Sequence, residues 1–327
     1  MKLIAYAVRD DELSFAHKFA AQYKHELHIV RELFGPENAH LAKGFDVVST
    51  LGTDACNREA LSIIAGFGIK LLAMRSAGFD NVDKEAAKEL GIAVTNVTYS
   101  PNAISEFAIT TCMSMYRNLP QMIKNALSHD HSLKGLMGRE IRKSTVGIIG
   151  VGRIGVQTAK GFKGLGAKVL GYDIFLRDDL ADILDYVSLE ELYAQSDIIV
   201  LHMNLTADNY HMIDEVALAK MKKGAVLANV ARGALVDAKA VLKALNSGHL
   251  GGFVMDTYEH ENGILMYDCR FKNIDDEVFL ALCASNRVLV TPHAAFYSDQ
   301  AVSDMVEGAM KNAALFEAKK ELANRVI

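Results

Sequence analysis

Short apolar runs of strand length alternate with amphipathic stretches along almost the whole chain. One series of runs fills residues 1–100, and a second series begins near residue 145. The predicted strands are residues 2–8, 26–30, 46–51, 69–75, 92–97, 146–149, 168–172, 197–203, 225–230, 252–257 and 287–291. Helices are predicted between them at residues 12–22, 58–66, 83–90, 188–195 and 238–247. Because parallel neighbours need a crossover connection, commonly a helix, this alternation predicts an α/β protein with two parallel sheets.

The break between the two series lies near Tyr99-Ser100-Pro101. Serine suits the residue that caps a helix and proline suits the first helical turn, so a helix is predicted to begin there. Its apolar residues cover most faces as far as about residue 119, and Pro120 is expected to end or kink it. A helix that is apolar all round is buried, and this one fits either a core position or an interface with the other domain or a second subunit.

A final helix is predicted at residues 298–318, after the last strand of the second series. We expect it to return to the first domain, which makes that domain discontinuous. The predicted division is residues 1–99 with 299–327 for the first domain and residues 100–298 for the second. A chain of 327 residues has room for two cores, at about 150 residues per domain.

The composition is that of an ordinary globular protein, with 50% hydrophobic and 23% charged residues. A formal net charge of −5 argues against a nucleic-acid partner. No apolar run is long enough to span a membrane and the first residues resemble a strand rather than a signal peptide, so we expect a cytoplasmic protein with no membrane partner. The four cysteines are scattered, without metal-ligand spacing, which predicts reduced thiols and no metal site.

A glycine-rich turn follows the first strand of the second series. The strand runs directly into Gly150-Val151-Gly152-Arg153-Ile154-Gly155, and a helix is predicted to begin near Arg153. Glycines at this spacing allow a tight turn, close approach of the backbone to a pyrophosphate, and close helix–strand packing. The next strand ends in Asp173, whose carboxylate is placed to bind ribose hydroxyls and to repel a 2′-phosphate. These features predict a dinucleotide site for NAD(H) rather than NADP(H), although the nearby Arg177 softens that preference.

Three chemically capable residues follow later strands of the same series. Arg232, Glu261 and His293 each come shortly after a predicted strand end. Ligands of open parallel sheets lie at the carboxyl ends of the strands, so these side chains are expected to face the dinucleotide site. Each residue alone also fits a non-catalytic interpretation: a surface arginine, a solvated glutamate or a capped histidine. Their joint placement favours a catalytic group.

The segments around these residues resemble the catalytic blocks of the D-2-hydroxyacid dehydrogenase family. The resemblance runs over essentially the whole chain, and the aromatic pair after His293 is similar to the D-lactate and D-2-hydroxyisocaproate branch. The matching segments are Asn229-Val230-Ala231-Arg232-Gly233, Met255-Asp256-Thr257-Tyr258-Glu259-His260-Glu261, Thr291-Pro292-His293-Ala294-Ala295-Phe296-Tyr297, Arg75-Ser76-Ala77-Gly78-Phe79-Asp80-Asn81-Val82-Asp83 and Tyr99-Ser100-Pro101-Asn102-Ala103. This resemblance implies two Rossmann- or flavodoxin-like domains with a cleft between them, and a homodimer.

The resemblance also implies roles, which make physical sense for reduction of a 2-oxo acid by NADH. Arg232 would grip the substrate carboxylate with its two-pronged guanidinium. His293 would donate a proton to the carbonyl oxygen, and Glu261 would orient the imidazole and favour its charged form. Val230 and Asp256 would bind the cofactor, Asp256 at the nicotinamide carboxamide. One departure from the family pattern is Asn204, which stands where a proline is usual and could loosen its loop.

The expected substrate site combines residues of both domains. Backbone N–H groups near Ala77 and Gly78 would complete the grip on the carboxylate, and apolar side chains would form the walls. The substrate-binding residues are Leu51, Ala77, Gly78, Tyr99, Arg232, Phe296 and Tyr297. Pyruvate, reduced to D-lactate, is the expected substrate. A hydroxyisocaproate- or phenyllactate-type enzyme for bulkier acids is the alternative, because Leu51 leaves apolar room. A corepressor-like protein that senses NADH is a third, non-enzymatic interpretation.

Overall fold

The computed structural model describes all 327 residues. The chain forms two compact units, one of residues 1–100 and 297–327 and one of residues 101–296. The division predicted from the sequence lies within two residues of these bounds. The fold class is confirmed, because each unit is built on a parallel sheet.

The first unit contains a five-stranded sheet in the order β2-β1-β3-β4-β5, with every neighbouring pair parallel. The strands are β1 Lys2–Ala5, β2 Glu26–Ile29, β3 Val47–Thr50, β4 Leu71–Met74 and β5 Ala93–Thr95. The residues of β3, β4 and β5 are buried throughout. Strands buried on both faces read as continuous apolar runs, which is why periodicity alone overestimated their lengths.

Four helices cover this sheet: α1 Leu13–Gln22, α2 Arg58–Gly66, α3 Lys84–Leu90 and, from the C-terminal segment, α11 Asp299–Glu317. Helix α11 packs on α1 and β4. Beyond it, Arg325 forms an antiparallel bridge to Thr95 of β5. The C-terminal segment therefore completes the first unit, as the sequence predicted for a discontinuous domain.

The second unit contains seven parallel strands in the order β12-β11-β10-β9-β6-β7-β8. The strands are β6 Thr145–Ile149, β7 Lys168–Tyr172, β8 Asp185–Tyr186, β9 Ile198–Leu201, β10 Val226–Asn229, β11 Gly252–Met255 and β12 Val288–Val290. The helices are α4 Pro101–Tyr116, α5 Leu119–Leu127, α6 Arg153–Gly164, α7 Leu189–Gln195, α8 Glu215–Lys220, α9 Ala238–Asn246 and α10 Glu277–Ala284. The strand order reverses between β6 and β9, and this switch point is where open α/β sheets bind ligands.

Helix α4 is the apolar helix predicted after Pro101. It packs on α6, β10 and β11, so one face is a core face of the second unit. Its end differs from the prediction, because α4 stops at Tyr116 and Asn118 takes a left-handed conformation with φ of 55°. Pro120 therefore lies in the first turn of α5 instead of ending α4. A missing N–H costs nothing in a first turn, and the sequence could not distinguish this use of proline from a helix stop.

Several small elements of the second unit were not predicted. Helix α8 has 6 residues and strand β8 has 2, and such short segments carry too few residues to show a period. No helix in the structure combines the length and apolar character that crossing a bilayer requires. No group of three or more His, Cys, Asp or Glu side chains is arranged to hold a metal ion.

Candidate active site

The glycine-rich turn lies between β6 and α6, at the switch point of the seven-stranded sheet. Gly150 has φ of 91°, a conformation that L side chains rarely adopt. A Cβ there would also lie 2.8 Å from the carbonyl carbon of His202. The turn can therefore form only with glycine at this position.

The other two motif glycines have different surroundings. A Cβ on Gly155 would lie 2.0 Å from the carbonyl oxygen of Gly150, so helix α6 can approach the turn this closely only without a side chain. A Cβ on Gly152 would meet nothing within 4 Å. Gly152 immediately precedes α6, where the first N–H groups of the helix have no intrahelical partner. Open space beside such N–H groups is what a bound phosphate requires.

Asp173 follows β7 and faces the glycine-rich turn. Its Oδ2 accepts a hydrogen bond of 2.6 Å from the N–H of Val151, and its Oδ1 accepts one of 2.9 Å from Phe175. The carboxylate thus fixes the turn from the end of the neighbouring strand. The next residues, Ile174, Phe175 and Leu176, are all at least 70% exposed. They leave an apolar surface beside the carboxylate.

Glu261 and His293 form a hydrogen-bonded pair at the same edge of the sheet. The distance from Glu261 Oε1 to His293 Nδ1 is 2.7 Å. The second carboxylate oxygen, Oε2, accepts a hydrogen bond of 2.9 Å from the N–H of Tyr258. Glu261 is therefore anchored by its own loop and presents one oxygen to the imidazole.

The surroundings of His293 favour its charged form. Burial acts to lower the pKa of His293, but the hydrogen bond and negative charge of Glu261 outweigh it, with a smaller contribution from Asp256. The positive charge of Arg232 opposes them. The net effect raises the pKa of His293 from its ordinary value, so the imidazolium persists to higher pH than in a free histidine.

Asp256 holds the loop that carries His293. This carboxylate is fully buried, and its Oδ1 accepts hydrogen bonds from Thr291 Oγ1 at 2.7 Å and from the N–H of Ala294 at 2.8 Å. Its Oδ2 accepts one of 2.9 Å from the N–H of Ala295. Three bonds on both sides of His293 fix a loop in which His293 itself has φ of 55°. The sequence did not predict this positioning, and a role for Asp256 toward the nicotinamide stays a prediction.

Arg232 follows β10 in a turn set by Asn229 and Gly233. Asn229 is fully buried, and its side chain donates a 2.8 Å hydrogen bond to the carbonyl of Arg232 and accepts one from the N–H of Ala231. A Cβ on Gly233 would lie 2.0 Å from the carbonyl carbon of Tyr258. The Arg232 turn and the loop that leads to Glu261 thus approach one another as closely as glycine permits.

The second unit therefore gathers Arg232, Glu261 and His293 on loops that follow three adjacent strands, β10, β11 and β12. In the same unit, residues 109–295 match the family model for the NAD binding domain of D-isomer specific 2-hydroxyacid dehydrogenases. The chain belongs to this family. It is an NAD-dependent enzyme of the D-2-hydroxyacid dehydrogenase type, and the match covers more than half of its length.

Individual relatives cover the whole chain. An aromatic 2-oxoacid reductase of Clostridium sporogenes is 45% identical over 327 residues, covering 99% of both chains. A D-lactate dehydrogenase of Lactiplantibacillus plantarum is 42% identical over 315 residues, covering 95% of both chains. The solved structure of a D-2-hydroxyisocaproate dehydrogenase is 36% identical, with a TM-score of 0.92 over 100% of this chain and 99% of that one. The predicted family and its D-lactate dehydrogenase branch are confirmed by these dehydrogenase relatives.

The other residues that the sequence predicts to bind the substrate lie mostly in the first unit. Leu51 follows β3 and is only 7% exposed. Ala77 and Gly78 follow β4, where Asn96 donates a hydrogen bond to the carbonyl of Ala77 and the Ser76 hydroxyl donates one to the carbonyl of Gly78. Tyr99 lies after β5, Tyr297 begins the C-terminal segment of that unit, and Phe296 ends the second unit. Their roles stay predictions.

The loop with the unusual Asn204 is ordered by hydrogen bonds. The Asn209 side chain donates a 2.8 Å bond to the carbonyl of Asn204 and accepts a 2.7 Å bond from the N–H of Thr206. These bonds supply the local constraint that a proline would otherwise give. In the residues just before this loop, His202 is paired with Thr158 Oγ1 at 2.8 Å, and burial lowers the pKa of His202 to about 3. It is therefore a neutral structural histidine.

Proposed function

We propose that this protein reduces a 2-oxo acid to the D-2-hydroxy acid with NADH. The observation that carries the proposal is the 2.7 Å pair of Glu261 and His293, placed with Arg232 at the edge of the sheet that holds the glycine-rich turn. A bound NADH supplies the hydride. The residues of the chain have to bind the acid and supply the proton.

His293 is the proposed proton donor. Its Nδ1 faces Glu261, so Nε2 is the ring nitrogen from which a proton would pass to the carbonyl oxygen of the substrate. The raised pKa extends to higher pH the range in which His293 is the imidazolium that reduction requires. Once the proton has left, the carboxylate of Glu261 still orients the neutral ring.

Arg232 is the proposed partner of the substrate carboxylate. A guanidinium can donate two parallel hydrogen bonds to a carboxylate, which fixes the orientation of the acid as well as its charge. The turn made by Asn229 and Gly233 sets the direction of the Arg232 backbone. Ala77 and Gly78 of the first unit are the proposed additional contacts, through their backbone N–H groups.

The preferred cofactor is proposed to be NADH rather than NADPH. The carboxylate of Asp173 would accept hydrogen bonds from ribose hydroxyls and repel a 2′-phosphate. The candidate phosphate partner, Arg177, is already paired with Asp179, with Nη2 2.7 Å from Oδ2. Gly152 and the first N–H groups of α6 would hold the pyrophosphate, and Val230 is a further proposed contact. Asp256 is proposed at the nicotinamide carboxamide.

The sequence favours pyruvate as substrate, and a bulkier apolar or aromatic 2-oxo acid is the second candidate. The second candidate is supported by Leu51, a mid-sized apolar residue at its strand end, and by the similarity to an aromatic 2-oxoacid reductase. An apolar pocket discriminates between substrates by about 1–3 kcal/mol for each methylene group by which they differ. The kcat/KM values for pyruvate and for a bulkier acid should therefore differ measurably.

The test is NADH oxidation with pyruvate, 2-oxoisocaproate and phenylpyruvate, repeated with NADPH and followed by chiral analysis of the product. The highest kcat/KM for pyruvate, with D-lactate as product, would support a D-lactate dehydrogenase. The highest value for phenylpyruvate would favour the second candidate. A protein that binds NADH but reduces none of these acids would refute the proposed reaction and favour a sensing role.

We also propose that the protein is a homodimer that uses the surface of α5. No residue of α5 is buried, and the apolar side chains of Leu119, Ile123 and Leu127 are 44%, 61% and 80% exposed. Leu133 and Met137, shortly after the helix, are 84% and 93% exposed. Apolar residues concentrated on one surface segment mark an association site. Leu127→Glu should therefore give a monomer in analytical ultracentrifugation, whereas Ser62→Glu, which adds the same charge at an exposed position of α2, should leave the dimer intact.

A further inference from the structure

Asp54 is a carboxylate buried beside the turn that carries Leu51. It is 1% exposed and lies in the first unit, just after β3. Its Oδ2 accepts a hydrogen bond of 2.5 Å from the N–H of Leu51, and its Oδ1 accepts one of 2.9 Å from the N–H of Phe34. One side chain thus joins the Leu51 turn to a second loop of the same unit.

A second side chain, that of Asn81, also forms hydrogen bonds to this turn. The Asn81 side-chain nitrogen donates to the carbonyl of Leu51 at 3.1 Å and to the carbonyl of Asp54 at 2.8 Å. Asn81 follows the segment that contains Ala77 and Gly78. A Cβ on Gly52 would lie 3.4 Å from Ser76 Oγ and 3.7 Å from the carbonyl oxygen of Gly78, so the two loops are in close contact. Both the N–H and the C=O of Leu51 are therefore fixed by side chains.

We propose that Asp54 is a positioning residue that determines substrate selectivity by fixing the backbone of Leu51. The inference rests on the proposed function, in which Leu51 forms a wall of the substrate site. Because the carboxylate of Asp54 is hydrogen-bonded to the backbone of Leu51, it fixes the position of the Leu51 side chain in the substrate site. Because Asp54 acts through Leu51, its loss changes the discrimination between large and small 2-oxo acids and leaves NADH binding unchanged.

The charge state of Asp54 gives this role a recognisable pH dependence. Burial raises the pKa of Asp54 to about 6, against the effect of its two backbone hydrogen bonds. The charged groups that face it are Arg75, which favours the carboxylate, and Glu12, which disfavours it, and Arg75 and Glu12 are themselves paired at 3.1 Å. The neighbouring Cys56 thiol has its pKa raised to about 12 by burial and stays neutral. Below pH 6 a proton on Asp54 weakens one of its two accepted hydrogen bonds, and the Leu51 turn loosens.

The experiment measures the ratio of kcat/KM for phenylpyruvate to kcat/KM for pyruvate between pH 5 and 8. Ionisation of His293 affects both substrates and cancels in the ratio. In the wild-type protein the ratio should change as the pH falls through about 6. Asp54→Asn should shift the ratio by about tenfold, which is the lower end of the change in selectivity that one methylene group causes in an apolar pocket. In that variant the ratio should also be independent of pH, with the KM for NADH unchanged.

Asp83→Asn is the matched control. Asp83 lies in the same unit, and its carboxylate accepts a backbone hydrogen bond from Ala86 at 2.8 Å and lies 3.9 Å from Arg58. Its link to the segment after Leu51 is a backbone bond, from its N–H to the carbonyl of Cys56 at 3.0 Å, which substitution by asparagine retains. It should leave the ratio and its pH dependence as in the wild type. A wild-type ratio that is flat from pH 5 to 8, or an Asp54→Asn ratio equal to that of the control, would overturn the proposal.

Hydrogen exchange separates this inference from the proposed function. With intrinsic rates corrected for pH, peptides covering residues 47–56 should exchange faster in Asp54→Asn than in Asp83→Asn. If the wild type reduces no 2-oxo acid, the proposed function fails, and the claim of a substrate wall fails with it. Equal exchange in the two variants would instead refute the positioning of Leu51, whatever the activity. The wild-type pH profile needs no variant and keeps the test valid if Asp54→Asn does not fold.

Discussion

Gly152→Ala should separate NADH binding from folding. The backbone of Gly152 is extended, with φ of −77° and ψ of −160°, which alanine adopts without strain. The added methyl group would meet no protein atom within 4 Å. Glycine-to-alanine changes at compatible positions commonly stabilise a protein by about 0.4–1 kcal/mol through the unfolded chain. Gly152 is also the N-cap of α6, where alanine is less favourable than glycine, so the two effects oppose each other and thermal stability should change little.

NADH binding should be weakened by the same substitution. The space beside Gly152 is where the pyrophosphate would contact the first N–H groups of α6, and a methyl group there pushes the phosphates away. A hydrogen bond to a charged group contributes about 1.5–3 kcal/mol, so losing one weakens binding by roughly tenfold to a hundredfold. Titration calorimetry of NADH and a thermal melt of the apoprotein measure the two effects separately.

Two neighbouring glycines provide the comparison. Gly155→Ala would place a Cβ 2.0 Å from the Gly150 carbonyl oxygen, so α6 and the turn must move apart and the apoprotein should melt earlier. Overpacking of this kind costs about 1–3 kcal/mol. Gly164→Ala, at the other end of α6, meets nothing within 4 Å, so it should raise the thermal stability slightly and leave NADH affinity unchanged. Wild-type NADH affinity in Gly152→Ala would refute the placement of the pyrophosphate.

Two further predictions concern the catalytic residues. Glu261→Gln removes the hydrogen-bonded anion that raises the pKa of His293, so the pKa should fall. Because reduction needs the imidazolium, the decline of kcat/KM at high pH should begin at a lower pH, and an unmoved profile would contradict the pairing. Arg232→Lys should raise the KM for the 2-oxo acid strongly while NADH affinity stays constant, because an ammonium cannot form the two-pronged contact. Equal KM values in steady-state kinetics would remove Arg232 from the substrate site.

The glycine-rich turn was predictable because its geometry is encoded locally. Gly150 needs a positive φ and Gly155 needs the absence of a Cβ, so the spacing alone specifies the turn. Arg232, Glu261 and His293 were predictable because the ends of parallel strands share one edge of a sheet. Their proximity follows from the order of strands, which the βα alternation indicates.

The supporting hydrogen bonds could not be predicted in the same way. The three bonds of Asp256 to residues 291–295 depend on how two loops meet, and no spacing in the sequence records that. The same is true of Asp54, which reads as an ordinary turn residue until its burial is known. Pro120 shows a different limit, because a proline fits both a helix stop and a first helical turn.

The discontinuity of the first unit affects the order in which the protein can fold during synthesis. Domains generally fold as units while the chain emerges from the ribosome. The second unit is contiguous, so its sheet of seven strands is complete once residue 296 has been made. The first unit, although it begins the chain, lacks α11 and the segment that pairs with β5 until the last residues appear. The unit whose first segment is translated earliest is therefore the unit that finishes folding last, and the apolar strands of residues 1–100 wait the longest for their covering helix.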